Sequence, residues 1–142
     1  MYIAIDFDGT CVAHEFPKIG QDIGAAPVLR KLIESGHQLI LFTMRSNKQD
    51  VKTNDYNIHG TSDNYLTQAV QWFQKNEIPL AGINVNPRQS TWTNSPKAYA
   101  QLYIDDAALG IPLLVDKSVS KRPFVNWEEV EKMLVAGGVL SA

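Results

Sequence analysis

The sequence predicts an α/β fold: three α/β/α layers around a central parallel sheet, with helices on both faces. Three observations carry that expectation. Short apolar runs alternate along the chain with segments of helical periodicity. The first run, Tyr2-Ile3-Ala4-Ile5, lacks polar alternation, as expected of a strand covered on both sides. Acidic and hydroxyl residues follow several of the runs directly, where parallel sheets place their ligand sites.

The elements follow in order. Residues 2–7 read as the first strand, and the Gly- and Pro-containing stretch 11–24 as irregular. Pro27 suits the first turn of a helix whose Val28, Leu29, Leu32 and Ile33 share a face and which Gly36 stops. Residues 38–43 form the second strand, and Arg45 to Asp63 a long polar loop. Ser62 or Asp63 can cap a second helix carrying Leu66, Ala69, Val70 and Phe73 at i, i+3, i+4 and i+7, with Ile78 and Pro79 ending it. A third strand covers roughly 81–85, and a polar loop with Arg88 leads to a short helix opened by Ser95 and Pro96. Leu102-Tyr103-Ile104 is the fourth strand and 111–115 a short fifth. Asn126 and Glu129 have capping-box spacing for a terminal helix closed by Gly137.

Composition bounds the function classes. The 142 residues suit one domain with a real core, and 1–142 is read as such. A net charge of -2 gives no global electrostatic case for nucleic acid, although a locally basic face stays open. One cysteine, Cys11, rules out an internal disulfide and fits a reducing compartment. No stretch reads as a signal peptide or is apolar for long enough to cross a membrane, so the expected location is cytoplasmic.

The strand ends carry the chemistry. Asp6 and Asp8 follow the first strand, and Gly9 lets the chain turn so that the two acids can converge. Thr43 ends the second strand, Asp105 and Asp106 follow the fourth, and Lys97 precedes it. Carboxylates gathered at one sheet edge repel each other unless a cation joins them, and Mg²⁺ suits a few carboxylates with room for waters and a phosphate oxygen. Thr43 offers a hydroxyl and adjacent N–H groups to a phosphate, and Lys97 a positive charge. Singly, each residue reads as a turn former, a cap or a solvated side chain. A calcium loop counted from Asp6 fails, because its sixth and twelfth positions hold Cys11 and Pro17.

In joint order, Asp6-Phe7-Asp8-Gly9-Thr10, Leu41-Phe42-Thr43, Lys97 and Ile104-Asp105-Asp106 resemble the four motifs of the haloacid dehalogenase superfamily of aspartate-based phosphatases. The resemblance implies a Rossmann-like core and Mg²⁺-dependent hydrolysis of a phosphate monoester. It makes Asp6 the nucleophile and Asp8 the general acid and base. It assigns the metal to Asp6, the main-chain carbonyl of Asp8, Asp105 and Asp106. Gly9, Thr43, Met44, Arg45 and Lys97 are the candidate substrate-binding residues, with Arg88 as a substitute for Lys97 because only eight positions separate Lys97 from Asp105. Thr43-Met44-Arg45 also resembles the Thr/Ser-x-Arg of the superfamily's polynucleotide phosphatase domains.

The resemblance implies a phosphorylated small molecule or a nucleic-acid end as substrate. The windows where such enzymes insert cap domains, 11–24 and 86–95, are too short for a domain with its own core, which leaves an open, capless site with 46–63 as a partial lid. A phosphotransferase of the same superfamily is one alternative. A non-catalytic, receiver-like phosphate-binding module is another, disfavoured because Asn84-Val85-Asn86 ends the middle strand without an Asp.

Overall fold

The computed structural model describes residues 1–50 and 63–142. The chain order is β1 (Tyr2–Ile5), α1 (Ala25–Glu34), β2 (Gln38–Leu41), α2 (Tyr65–Lys75), β3 (Leu80–Ile83), β4 (Leu102–Ile104), β5 (Leu113–Leu114), β6 (Phe124–Val125) and α3 (Trp127–Ala136). The central sheet is parallel in the order β3-β2-β1-β4, a Rossmann-like α/β arrangement. β5 and β6 form a separate antiparallel pair. No helix among the described residues is long and apolar enough to cross a membrane.

Register positions the site. Ile5 lies opposite Leu41 on one side and Ile104 on the other, so β1, β2 and β4 end level. The residues that follow them, Asp6, Phe42-Thr43 and Asp105-Asp106, emerge side by side at one edge of the sheet.

The two faces are closed differently. Ile3, Ile5, Leu39, Leu41 and Ile104 share a core with Leu29 and Leu32 of α1, Phe73 of α2 and Val130 and Leu134 of α3. Ala4 and Ile40 alternate with them and are also buried, on the opposite side. There Tyr103 donates its hydroxyl hydrogen to Ala98 O at 2.7 Å, and its ring meets Phe42 at 6.2 Å. The cover on this side is segment 84–101 in place of the second helical layer expected from the sequence, largely irregular apart from a 3₁₀ turn over Gln89–Thr91.

That segment departs from the expected helix at Ser95 and Pro96. Side chains satisfy the backbone locally instead: Ser95 N–H donates to Thr93 Oγ1 and Lys97 N–H to Ser95 Oγ. The buried amide of Gln89 donates to Ser95 O and Lys97 O and accepts from Tyr99 N–H. Such bonds compete with the helical ladder, and here they win.

Other boundaries shift for readable reasons. β1 stops at Ile5 because Phe7 O accepts the N–H groups of Thr10 and Cys11, which turns the chain. β2 and β3 also end short of their predicted limits, β3 because Asn84 adopts φ 56. Asn64, not Asp63, is the N-cap of α2, and it makes no side-chain cap bond because its Oδ1 accepts from Lys48 N–H. Ser62 and most of the predicted 46–63 lid lie outside the described residues. The cap of α3 is as predicted, with Asn126 accepting Glu129 N–H at 3.3 Å. β6 had no counterpart in the sequence reading.

Candidate active site

The first motif is a tight turn pinned by its central residue. Phe7 is fully buried against Trp72 and Phe73, at centroid distances of 5.8 and 6.2 Å, which leaves Asp6 and Asp8 on either side of an anchor. Thr10 then joins the turn to β4. Its fully buried hydroxyl donates to Asp6 Oδ2 at 2.8 Å and accepts Asp106 N–H at 3.0 Å, while Trp127 Nε1–H holds its carbonyl.

Gly9 is required by space as well as by conformation. Its φ is +81, and a Cβ there would lie 2.3 Å from His14 Nε2 and 2.5 Å from Asp106 Oδ2. Its N–H donates to Val12 O and its carbonyl accepts Val125 N–H, so Gly9 is spent on the fold and brings no free main-chain group to a substrate.

One carboxylate oxygen from each of Asp6, Asp105 and Asp106 falls within a group no more than 4.8 Å across. Burial first, and then the charge of Asp105, pushes Asp6 up to about 8. Burial likewise raises Asp105. Burial opposes the charge of Asp106 too, but hydrogen bonds from His14 and Asp6 outweigh it and hold Asp106 below the usual carboxylate range. The His14 contact is Nε2 to Asp106 Oδ2 at 2.8 Å. A self-repelling set of hard oxygen donors is the chemistry a divalent cation answers.

The carboxylate of Asp8 is outside this group, so the two acids of the turn do not converge as the sequence led one to expect. Arg45 grips both of its oxygens, Nε–H to Oδ2 at 2.7 Å and Nη2–H to Oδ1 at 2.8 Å. Arg45 is only 3% exposed. It is thus not the solvent-facing substrate contact its position at a loop start suggested.

Thr43 is oriented from both ends: its N–H donates to Asn84 Oδ1 at 2.8 Å and its Oγ1 accepts Arg45 N–H at 3.1 Å. Among the described residues its hydroxyl hydrogen has no acceptor. Met44 is 93% exposed, and its N–H has no partner among the described residues. This hydroxyl and N–H at the sheet edge are free to meet an anion. Lys97 is exposed and sits with Nζ 5.3 Å from the Tyr103 ring centroid; among the described residues it forms no ion pair. Arg88 is exposed as well, with only its main chain engaged. The structure brings neither cation into contact with the carboxylates.

Sequence reasoning missed three contributors. Thr10 stood inside the first motif without a role. Asn84, read only as a non-acidic strand end, is the support of Thr43. His14 gave no signal, because its partner lies 92 positions away.

Neither family models nor curated proteins give a match to this chain. Among solved structures, a conserved protein from Bacteroides thetaiotaomicron is similar, with 28% identity over 96% of this chain and 91% of that one and a TM-score of 0.69.

Proposed function

We propose that this chain is a Mg²⁺-dependent phosphatase that hydrolyses a phosphate monoester through an aspartyl phosphate on Asp6. The observation that carries this reading is the separation of the two acids of one turn. Asp6 joins Asp105 and Asp106 in an oxygen cluster, while Asp8 is held apart by Arg45. The donor set fits the metal: hard oxygens, mutual repulsion, and an Asp6 pushed up to about 8 without a cation. The carboxylates of Asp6, Asp105 and Asp106 would hold it, with the main-chain carbonyl of Asp8. Bound there, Mg²⁺ supplies positive charge that offsets the repulsion between Asp6 and an incoming phosphate.

The chain's own groups do the rest. An Asp6 carboxylate oxygen attacks phosphorus, and the bond from phosphorus to the leaving oxygen breaks as Asp8 gives that oxygen its proton. Asp8, now a carboxylate, takes a proton from water as the water attacks the aspartyl phosphate. The bond from phosphorus to Asp6 breaks, which returns both acids to their starting states. Thr43 Oγ–H and Met44 N–H bind phosphoryl oxygens in this reading, which is supported by their lack of a partner among the described residues. Thr43-Met44-Arg45 no longer supports a nucleic-acid end through Arg45, whose guanidinium is committed internally.

The test is phosphate release from a generic ester with Mg²⁺, by the wild type and by Asp6→Asn. The expected loss in Asp6→Asn is about a thousandfold or more. A wild type without turnover, or an equally active Asp6→Asn, would refute the reading.

A further inference from the structure

We propose that Arg45 is a positioning residue that couples the aim of Asp8 to the loop that carries Pro17 and Lys18. This rests on the phosphatase reading and deepens it. A guanidinium has five N–H groups, and all five of Arg45 are spent. Nε–H and one Nη2–H hold Asp8; the other Nη2–H donates to Lys18 O at 2.8 Å, and the two Nη1–H groups to Pro17 O at 3.3 Å and Tyr65 O at 3.2 Å. The rings of Phe7 and Phe16 lie 5.0 and 5.1 Å from Cζ. No donor remains for a phosphate.

The acceptors belong to three separate pieces of chain. Asp8 is on the catalytic turn. Pro17 and Lys18 are on the loop 13–21, here called the flap, which folds back through an antiparallel bridge between Val12 and Asp22. Tyr65 opens α2, and its ring packs on Phe16 at 5.3 Å. A planar fork fixes both the position and the plane of the carboxylate it grips, which a point charge does not. Arg45 occupies one lone pair on each Asp8 oxygen, and a carboxylate has others to carry a proton to and from the substrate. Movement of the flap carbonyls therefore moves the fork, and with it the general acid.

The test separates positioning from substrate binding by leaving group. An alkyl phosphate needs its leaving oxygen protonated; an activated aryl phosphate does not. First-turnover release of the leaving group, with Mg²⁺ present, isolates that step from hydrolysis of the aspartyl phosphate. Arg45→Lys should slow alkyl release about a hundredfold, the low end of general-acid contributions. Aryl release and KM for both esters should stay near wild type. Arg45→Lys/Asp8→Asn should be no slower than Asp8→Asn alone. Phe16→Leu leaves every hydrogen bond to Asp8 in place and keeps the test open if Arg45→Lys does not fold; it should show a several-fold loss with the same ester dependence.

Equal losses on both esters with raised KM, or multiplying losses in the double variant, would overturn the proposal, because Arg45 would then touch the phosphate. If Asp8→Asn alone is ester-selective and neither Arg45→Lys nor Phe16→Leu is, the coupling is wrong and the phosphatase reading stands. If the wild type hydrolyses neither ester, that reading fails and the proposal falls with it.

Discussion

Around Asp6, three carboxylates converge with a threonine hydroxyl between them and one imidazole at the edge, whereas the carboxylate of Asp8, two positions further on, is gripped by the Arg45 guanidinium, which lies by two aromatic rings and also holds the carbonyls of Pro17, Lys18 and Tyr65. One turn thus makes two acids with different needs. The first region is built short of positive charge, its three carboxylates repelling one another. The second carries its own cation and is complete as folded. Environment rather than residue type separates the two acids.

The largest expected effect lies on the completed side. Arg45→Met keeps much of the volume but leaves the Asp8 carboxylate and three main-chain carbonyls without their donors. Breaking a buried pair this way costs about 3–5 kcal/mol. Asp105→Asn in Mg²⁺-free buffer should be neutral or stabilising, since it removes a repelling charge. Urea unfolding of both variants checks the contrast, and equal losses would erase it.

The next effect is the pH dependence of the incomplete side. Because Asp6 is raised to about 8, the folded chain holds a proton there that the unfolded chain loses near 4. Its contribution to metal-free stability is full below about pH 4 and is lost as pH rises through about 8. Mg²⁺ should therefore raise Tm more at pH 8 than at pH 5, and Asp6→Asn should flatten the metal-free profile. Thermal melts over this range decide it; a Tm indifferent to Mg²⁺ at pH 8 would break the comparison.

The smallest effect tests the joint between β1 and β4. Thr10→Val keeps the shape but removes the hydroxyl shared by Asp6 Oδ2 and Asp106 N–H. Chemical denaturation should show a loss of about 1–2 kcal/mol. The loss should shrink in Asp6→Asn, whose amide no longer gains as much from the donor.

The sheet and the acidic cluster were legible because both follow from local pattern. Apolar runs specify parallel strands, and level strand ends bring Asp6, Thr43, Asp105 and Asp106 to one edge. What stayed hidden depends on partners far apart in the chain. Nothing local marks His14 as the partner of Asp106, or Asn84 as the support of Thr43. Arg45 misled for the same reason: a polar residue at a loop start reads as solvated until the flap carbonyls and two aromatic rings are seen to close over it. Ser95-Pro96 misled in the opposite way, since a good helix-start signal was overridden by Gln89 reaching across the loop.

Cys11 is the chain's only cysteine, fully buried, with its Sγ–H toward Asp6 O at 3.3 Å. Burial, and then the charges of Asp6 and Asp8, push its thiol well above the usual range. An alkylating reagent therefore reacts only while the turn after β1 is momentarily undone. Its labelling half-life is a built-in clock for the breathing of that turn, read from a single sulfur without any engineered probe.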